Sequence, residues 1–389
     1  HPDIGLQFPV FSVEDTKERF IRDMLTRSDE IDVYVLKDLN LMQVIKDKGY
    51  GLDLMKDPAL ADFARGLYPL YQDYFMQEGG LFGLPKAAHP ASLAYNPAAF
   101  KELNLPVPTT YAEFFRLALQ IAKGQIQRDA KLQFSPRFYG ATADRLLTLH
   151  VDEQVKNGLP IKVNTPAMGE LLHLYQQVIA LDQGDLRPEI HLFHYVDLPY
   201  RGEEHRPLPL PIQAGNTPVI SYDKDSFSYF VVNPYSRHQK EALAFLSSYV
   251  RNMPPFINIR LTQGISQPVE APDYRQRYED LTGRLVDLKE RLKTASGAEQ
   301  STLEKQVETT EAMLNNLEAY ERYLITQQDI EDFRKVAPLV ALSPKNPILA
   351  LMAQYPALFD EIDTNPNLDV DSFLARLEDM LAIMDKEEP

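Results

Sequence analysis

The chain contains no cysteine. That excludes disulfides, thiolate nucleophiles and cysteine-ligated metals together. Tryptophan is also absent, so the broadest aromatic face a binding site can use is missing, although 20 Tyr and 19 Phe remain. Basic residues are outnumbered: 40 Lys and Arg against 56 Asp and Glu give a formal charge of −16. Such a surface repels phosphate backbones, and no run of Lys and Arg offers a basic patch, so nucleic acid is not an expected partner. No apolar run approaches the roughly 20 residues that span a bilayer as a helix. The sequence also lacks G-x-S-x-G, a P-loop, G-x-G-x-x-G and H-E-x-x-H. His191 and His194 are spaced for one helical face, but Pro188 and Pro199 argue against a helix, and no third ligand is apparent. No metal or other cofactor is therefore expected. Glu203 with Glu204, and Asp152 with Glu153, read as solvated surface pairs. Nothing here compels an enzyme.

What is present is ordinary globular material: 389 residues, 44% hydrophobic and 25% charged. That length suggests two domains or one bilobal unit. The chain opens at His1 on HPDIGLQFPVF, which reads as a strand over 4–11, and the expectation is that a piece carrying any export signal precedes it. A helix is predicted over 13–25, and the IDVYVL run at 31–36 reads as a buried strand. Helices follow over 40–48 and 58–78, then a short strand at LAYN. Strand, helix, strand, helix, strand favours an α/β layer architecture. Within 106–124, Thr109 or Thr110 caps a helix with Glu113 three residues after Thr110. Thr165 and Pro166 start another over 164–181. A loop-rich stretch is expected over 182–218, then the FSYFVV strand at 227–232 and a helix capped at Ser236.

Residues 274–326 differ in character. Leu281, Leu285, Leu288 and Leu292, then Leu303, Val307, Leu314, Leu317 and Leu324, form a heptad-like stripe with Thr310 and Glu321 at weak positions. An antiparallel helical hairpin is predicted, either a partner-docking arm or, as expected here, a hairpin folded along its own domain. DVDSFLARLEDMLAIMDKEEP closes the chain as an amphipathic helix.

The order of several segments resembles the extracellular solute-binding proteins of ABC importers, in the bacterial group that includes maltodextrin-binding protein. The segments are DVYVLKDLN, KGYGLDL, FGLPKAAHPASLAYN, AAFKELNLPVPTTYAEF and FVVNPYSRHQKEALAFL. They resemble the family's Asp-Ile/Val strand, its Gly-x-Pro before a strand ending Tyr-Asn, its Gly-Leu-x-x-Pro-x-Thr-aromatic-x-Glu, and its Asn-Pro-x-Ser before a helix. Two departures are Asn104, where the family usually has Gly, and the missing Trp, its usual sugar platform. The likeness is weakest at 125–160, at 182–218 and in the hairpin.

The resemblance implies a two-lobed, type II periplasmic-binding-protein-like α/β fold with a ligand cleft between discontinuous lobes. The first lobe is expected over 1–96 and 231–325, hairpin included, and the second over 97–230 and 326–389. Crossings are placed near Asn96, Phe230 and Thr326, and the helix over 239–250 is expected in the lobe of IDVYVL. The implied cleft residues are Lys37, Asp38 and Asn40 after the first strand, and His89 and Ser92 in the loop before LAYN. From the second lobe come Arg137, Phe138 and Tyr139, with His194, Tyr195 and Tyr222 as further candidates. Asp38 and His89 are expected to open toward one edge of a parallel sheet, across from Tyr139. Local alternatives stand beside these: helix capping for Asp38 or Asn40, a backbone-bonded surface role for His89, and ordinary core for Phe138 and Tyr139.

The expected function is non-enzymatic capture of a small polar solute, an oligosaccharide, by cleft closure and its delivery to the transmembrane subunits of an ABC permease. The protein is expected to be extracellular or periplasmic and monomeric; a lipid anchor before His1 is left open. The rivals are a peptide, polyamine or other small-solute binder on the same scaffold, a glycan-active hydrolase or lyase, and a scaffold that uses the hairpin.

Overall fold

The computed structural model describes residues 5–7, 12–126, 141–181, 192–199, 205–222, 226–342 and 346–387. Most of the strand expected over 4–11 lies outside them. Two large cores organise the described chain, and a smaller one sits between them. The first gathers Phe20, Tyr34, Phe75, Tyr229 and Leu246; the second gathers Phe114, Tyr175, Phe193 and Leu374. The third contains Ile259, Ile325, Phe333 and Val340.

A three-stranded sheet lies in the first core, with Phe227–Val232 between Val33–Leu36 and Leu84–Ala88. All six residues of the central strand are buried. That explains FSYFVV: a strand covered on both faces has no position for a polar alternation. Phe227 also supplies ring packing without tryptophan. Tyr71, Tyr74, Phe75, Tyr222 and Tyr229 all lie with ring centres 5.3–6.1 Å from it. Such ring pairs contribute about 0.5–1.5 kcal/mol each beyond area burial. The central strand runs antiparallel to both neighbours, so the sheet is not the parallel one expected. A strand entering from the far core separates the two parallel ones.

The second core holds a sheet in which Ala91–Tyr95 lies between Phe193–Asp197 and Arg206–Pro207. The chain thus leaves the first sheet at Ala88 and enters the second at Ala91, ahead of Asn96. It returns between Ser221 and Phe227, ahead of Phe230, because Phe227–Val232 already pairs in the first sheet. The third passage runs through the helix Gln327–Val336, whose first turn is closed by a capping box of Thr326 and Asp329. Ile220–Ser221 then pairs in parallel with Val340–Ala341. The helix Gln239–Arg251 places Ala242 and Leu246 in the first core.

Several short motifs have direct structural reasons. Gly83 is forced by packing, since a Cβ there would lie 2.6 Å from Met42 Cε and 2.7 Å from Phe75 Cδ1. Asn96 caps the helix Pro97–Glu102, accepting from Ala99 N at 3.0 Å. Asn104 adopts φ of 51°, a left-handed conformation that Asn tolerates better than other side chains, so it can stand where Gly is usual. Thr110 caps Tyr111–Ala122, accepting from Glu113 N at 3.2 Å, while the Glu113 carboxylate accepts from Thr109 N at 2.7 Å. Buried Asn233 donates to Ser28 O and Ile31 O, both at 2.8 Å. Ser236 Oγ donates to Asp32 Oδ1 at 2.5 Å. The Asn-Pro-x-Ser segment therefore pins the entry to the first strand, some 200 residues earlier in the chain.

Other expectations are corrected. The helix predicted over 58–78 is two helices, Pro58–Gly66 and Pro69–Phe75. Pro69 lacks an N–H, and Tyr68 before it is held extended at ψ of 147°. Ser236 is not the helix cap; the helix starts at Gln239 and Ser236 is occupied with Asp32 and His238 N. Within the expected loop region, Phe193–Asp197 is a strand that its Pro-rich flanks disguise. The hairpin consists of Tyr274–Leu292 and Gly297–Asn316, with ion pairs Lys289–Glu311 and Arg277–Glu321 at 2.6 Å across it. Its base is the strand pair Val269–Glu270 with Tyr323–Ile325. Leu288, Leu303 and Leu317 are buried, and so is Thr310, whose hydroxyl returns to Gln306 O at 2.7 Å. Thr310 is not a weak position because that bond satisfies its polar group within the helix.

Candidate functional site

The first core's sheet sets the geometry. Leu36 pairs with Tyr229, and Ala88 with Phe227. Val33–Leu36 and Leu84–Ala88 therefore run the same way and end at one edge, separated by one strand, or about 10 Å. The loops bearing Lys37, Asp38 and Asn40, and His89, leave from that edge.

Each candidate has a defined environment. The Asp38 carboxylate bonds Lys17 Nζ at 2.6 Å and accepts from Asn40 N at 2.8 Å, and its backbone carbonyl accepts from Tyr229 OH at 2.7 Å. Asp38 thus shapes its own loop and keeps its remaining lone pairs at a half-buried surface. Asn40 is exposed at the start of Leu41–Lys48, with no capping bond from its side chain, and Lys37 is half-buried.

His89 lies between the two sheets. Its backbone N–H donates to Ser226 O at 2.9 Å. Its Nδ1 faces Arg260 Nη1 at 2.5 Å. The guanidinium can only donate, so Nδ1 accepts and the ring's proton sits on Nε2. Burial and the Arg260 charge hold the imidazole below its ordinary pKa; Lys86 acts in the same sense and Asp197 opposes it. Arg260 is itself buried, and its Nε donates to Leu198 O at 2.6 Å.

Ser92 is not a loop residue. It lies inside Ala91–Tyr95, buried, opposite Val196, with its hydroxyl donating to Leu93 O at 3.0 Å. His194 and Tyr195 are on the neighbouring strand. His194 Nδ1 meets Tyr195 O at 2.8 Å, and its ring lies edge-on to His205 at 5.7 Å. The Arg145 guanidinium covers the Tyr195 ring at 4.8 Å. Tyr222 shares a short hydroxyl–hydroxyl bond with Tyr71, and burial raises its pKa well above the ordinary tyrosine range. Arg137, Phe138 and Tyr139 lie outside the described residues.

Two carboxylates read as solvated are buried ties. Glu153 accepts from Ile212 N at 2.6 Å, Gln213 N at 3.1 Å and Asn216 Nδ2 at 2.7 Å. Asp152 accepts from Ser221 Oγ and, at 2.7 Å, from Asn346 Nδ2. Together they hold the segment that leads back to the first core. Their position on the inward face of Ala143–Lys156 was the available signal, but no helix was predicted there. Arg260 was missed because nothing local marks a pairing with His89, 171 residues away.

A separate cleft of about 640 Å³ opens where the cores meet, lined by Tyr68, Lys156, Gln263 and Arg334 among others. None of the candidates among the described residues lines it. Among the described residues no cluster of three or more His, Asp or Glu side chains is arranged for a metal, and no helix is long and apolar enough to cross a membrane.

No protein-family model matches the chain, and no curated protein sequence matches it significantly. Solved structures do. One is the galacto-N-biose/lacto-N-biose I-binding protein of an ABC transporter from Bifidobacterium longum, in complex with lacto-N-biose. The match has 14% identity and a TM-score of 0.56 over 97% of this chain and 88% of that one. Another is the bacterial solute receptor AcbH, described as having an exclusive preference for β-D-galactopyranose. That match has 9% identity and a TM-score of 0.51 over 97% of this chain and 89% of that one.

Proposed function

We propose that this chain, which has the two-lobed fold of ABC-transporter solute-binding proteins, captures a small sugar or oligosaccharide and hands it to the transmembrane subunits of an importer. The observation that carries the reading is the common sheet edge from which the Asp38 and His89 loops leave, beside the chain's passage into the second core. In open α/β sheets ligands sit outside strand ends where connections diverge. His89 Nε2–H supplies a donor there, and Asp38 a charged acceptor. Ligand groups held from both lobes would favour the closed form by their differential affinity for it. The protein acts as a binder, not an enzyme, outside the cytoplasmic membrane, as a monomer, with the first lobe built around the sheet of Val33–Leu36, Leu84–Ala88 and Phe227–Val232 and the second around that of Ala91–Tyr95. Lys37, Asn40, Ser92, Arg137, Phe138, Tyr139, His194, Tyr195 and Tyr222 remain proposed neighbours of the ligand.

A thermal-shift screen over sugars, peptides and amines tests this. A ligand at 100 times its Kd stabilises the native state by about 2.7 kcal/mol. Stabilisation by one or more sugars is the expected result. Stabilisation by peptides or polyamines alone would replace the substrate class, and turnover of a polysaccharide would replace the reading altogether.

His89 separates binding from structure. In His89→Asn the amide oxygen can still accept from Arg260, while the Nε2–H donor is lost. Sugar affinity is expected to fall about 5- to 150-fold with little change in melting temperature, whereas His89→Ala should lose affinity and some stability as well. Calorimetric titration beside a melting curve checks both. Parental affinity in His89→Asn would remove His89 from the site.

A further inference from the structure

We infer that Arg260 is the positioning residue of the solute site: its buried guanidinium fixes His89 as an Nε2–H donor and ties that donor to Leu198, at the end of a strand of the second sheet. The inference rests on the proposed solute-binding reading for its functional consequence, but its geometry stands apart from it. Arg260 lies on the helix Pro255–Leu261, packed beside the first sheet. One arm, Nη1, reaches His89 at 2.5 Å, at the chain's first passage between the cores. Its Nε reaches Leu198 O at 2.6 Å, at the end of a strand of the second sheet. A single planar group on a first-lobe helix thus grips the first passage between the lobes and the end of a strand of the second sheet.

The chemistry follows from what a guanidinium can do. Arginine is always charged and carries only donors. An imidazole facing it must present a lone pair, so the tautomer with the proton on Nδ1 is excluded. A protonated imidazole would oppose two cations with no acceptor between them. Among the described residues, the charged groups acting on His89 are Arg260 and Lys86, which disfavour its protonation, and Asp197, which favours it. The side chain is thereby held as a neutral donor of fixed direction, ready for an acceptor such as a sugar hydroxyl oxygen. Because the same guanidinium holds Leu198 O, any change in the angle between the lobes that moves Leu198 also moves the donor. Donor direction and closure are then one coordinate.

Long-range nitrogen–proton spectra of the imidazoles test this on the intact protein, with the His89 signals identified by their loss in His89→Asn. The parent is expected to show a single Nε2–H tautomer at neutral pH and a titration midpoint below the ordinary histidine value. In Arg260→Met the tautomers should mix and the midpoint should rise. Arg260→Lys, which keeps the charge but not the fork, should fall between and guards against misfolding of the Met variant. Affinity for the best sugar from the screen should drop about tenfold in Arg260→Met. An Nδ1–H tautomer in the parent, or an unmoved midpoint in both variants, would overturn the inference. So would altered imidazole behaviour with unaltered sugar affinity. If no sugar binds the parent, the solute reading fails, while the spectra still decide whether Arg260 sets the tautomer.

Discussion

Glu153→Leu should destabilise the second lobe by about 3–5 kcal/mol, the range seen when one partner of a buried charged network is removed. The carboxylate is 2% exposed and accepts three hydrogen bonds, two from backbone amides and one from Asn216. Leucine fills similar space and leaves all three donors unpaired. Each unpaired buried donor costs about 1–3 kcal/mol. Burial raises the Glu153 pKa, and the three hydrogen bonds pull it back, so the donors are what keep a buried carboxylate tolerable. Glu153→Gln presents one acceptor oxygen but turns an amide toward the remaining donors, so an intermediate loss is expected. The segment held by Glu153 runs on to Ser221, itself tied to Asp152, and then back to the first core. Loosening it should therefore also weaken any solute that needs both lobes. Chemical denaturation of both variants, followed by near-ultraviolet tyrosine signals, measures the loss. A Glu153→Leu protein within 1 kcal/mol of the parent would show that water or rearrangement satisfies those donors.

The same residue shows where the sequence was legible and where it was not. Thr110 with Glu113, and Thr165 ahead of Pro166, mark helix starts that the structure contains, because capping bonds join residues three apart. FSYFVV reads as a buried strand because its composition admits little else. The hairpin reads from its leucine spacing. By contrast, the solvated interpretation of Asp152 and Glu153 failed because their partners lie 59 to 194 residues away. Acidic neighbours in an acidic chain carry no local mark of burial. Ser92 is expected in a loop because the strand is read as starting at LAYN, whereas it starts two residues earlier, at Ala91. The common edge of the Asp38 and His89 loops was anticipated for a partly wrong reason. The strands are parallel to each other, but an antiparallel strand from the other end of the chain lies between them. Pairing partners of that kind follow from tertiary packing, which no window of sequence contains.

Stability should also fall on acidification through one buried histidine, His150. It lies on the helix Ala143–Lys156, 1% exposed, with Nε2 3.0 Å from Lys162 O. Burial lowers its pKa to about 4, against the opposing effects of the Lys162 carbonyl and the Glu378 charge. In the unfolded chain a histidine takes up its proton near pH 6.5. Between about pH 6.5 and 4 the unfolded state therefore binds the extra proton and the native state does not. That favours unfolding as pH falls through this window and leaves stability flat with respect to His150 above about pH 7. The difference of roughly 2.5 units corresponds to a loss of about 3 kcal/mol by pH 4, of which about 2 kcal/mol is reached by pH 5. Carboxylates as a class also begin to take up protons over the lower part of this range. The comparison that isolates His150 is therefore between the parent and His150→Gln, whose amide can donate to the Lys162 carbonyl without titrating. Urea unfolding at pH 7.5 and pH 5 should show the parent losing about 2 kcal/mol more than the variant. Equal losses in the two proteins would mean that His150 is protonated in the native state, with an acceptor or water at its Nδ1.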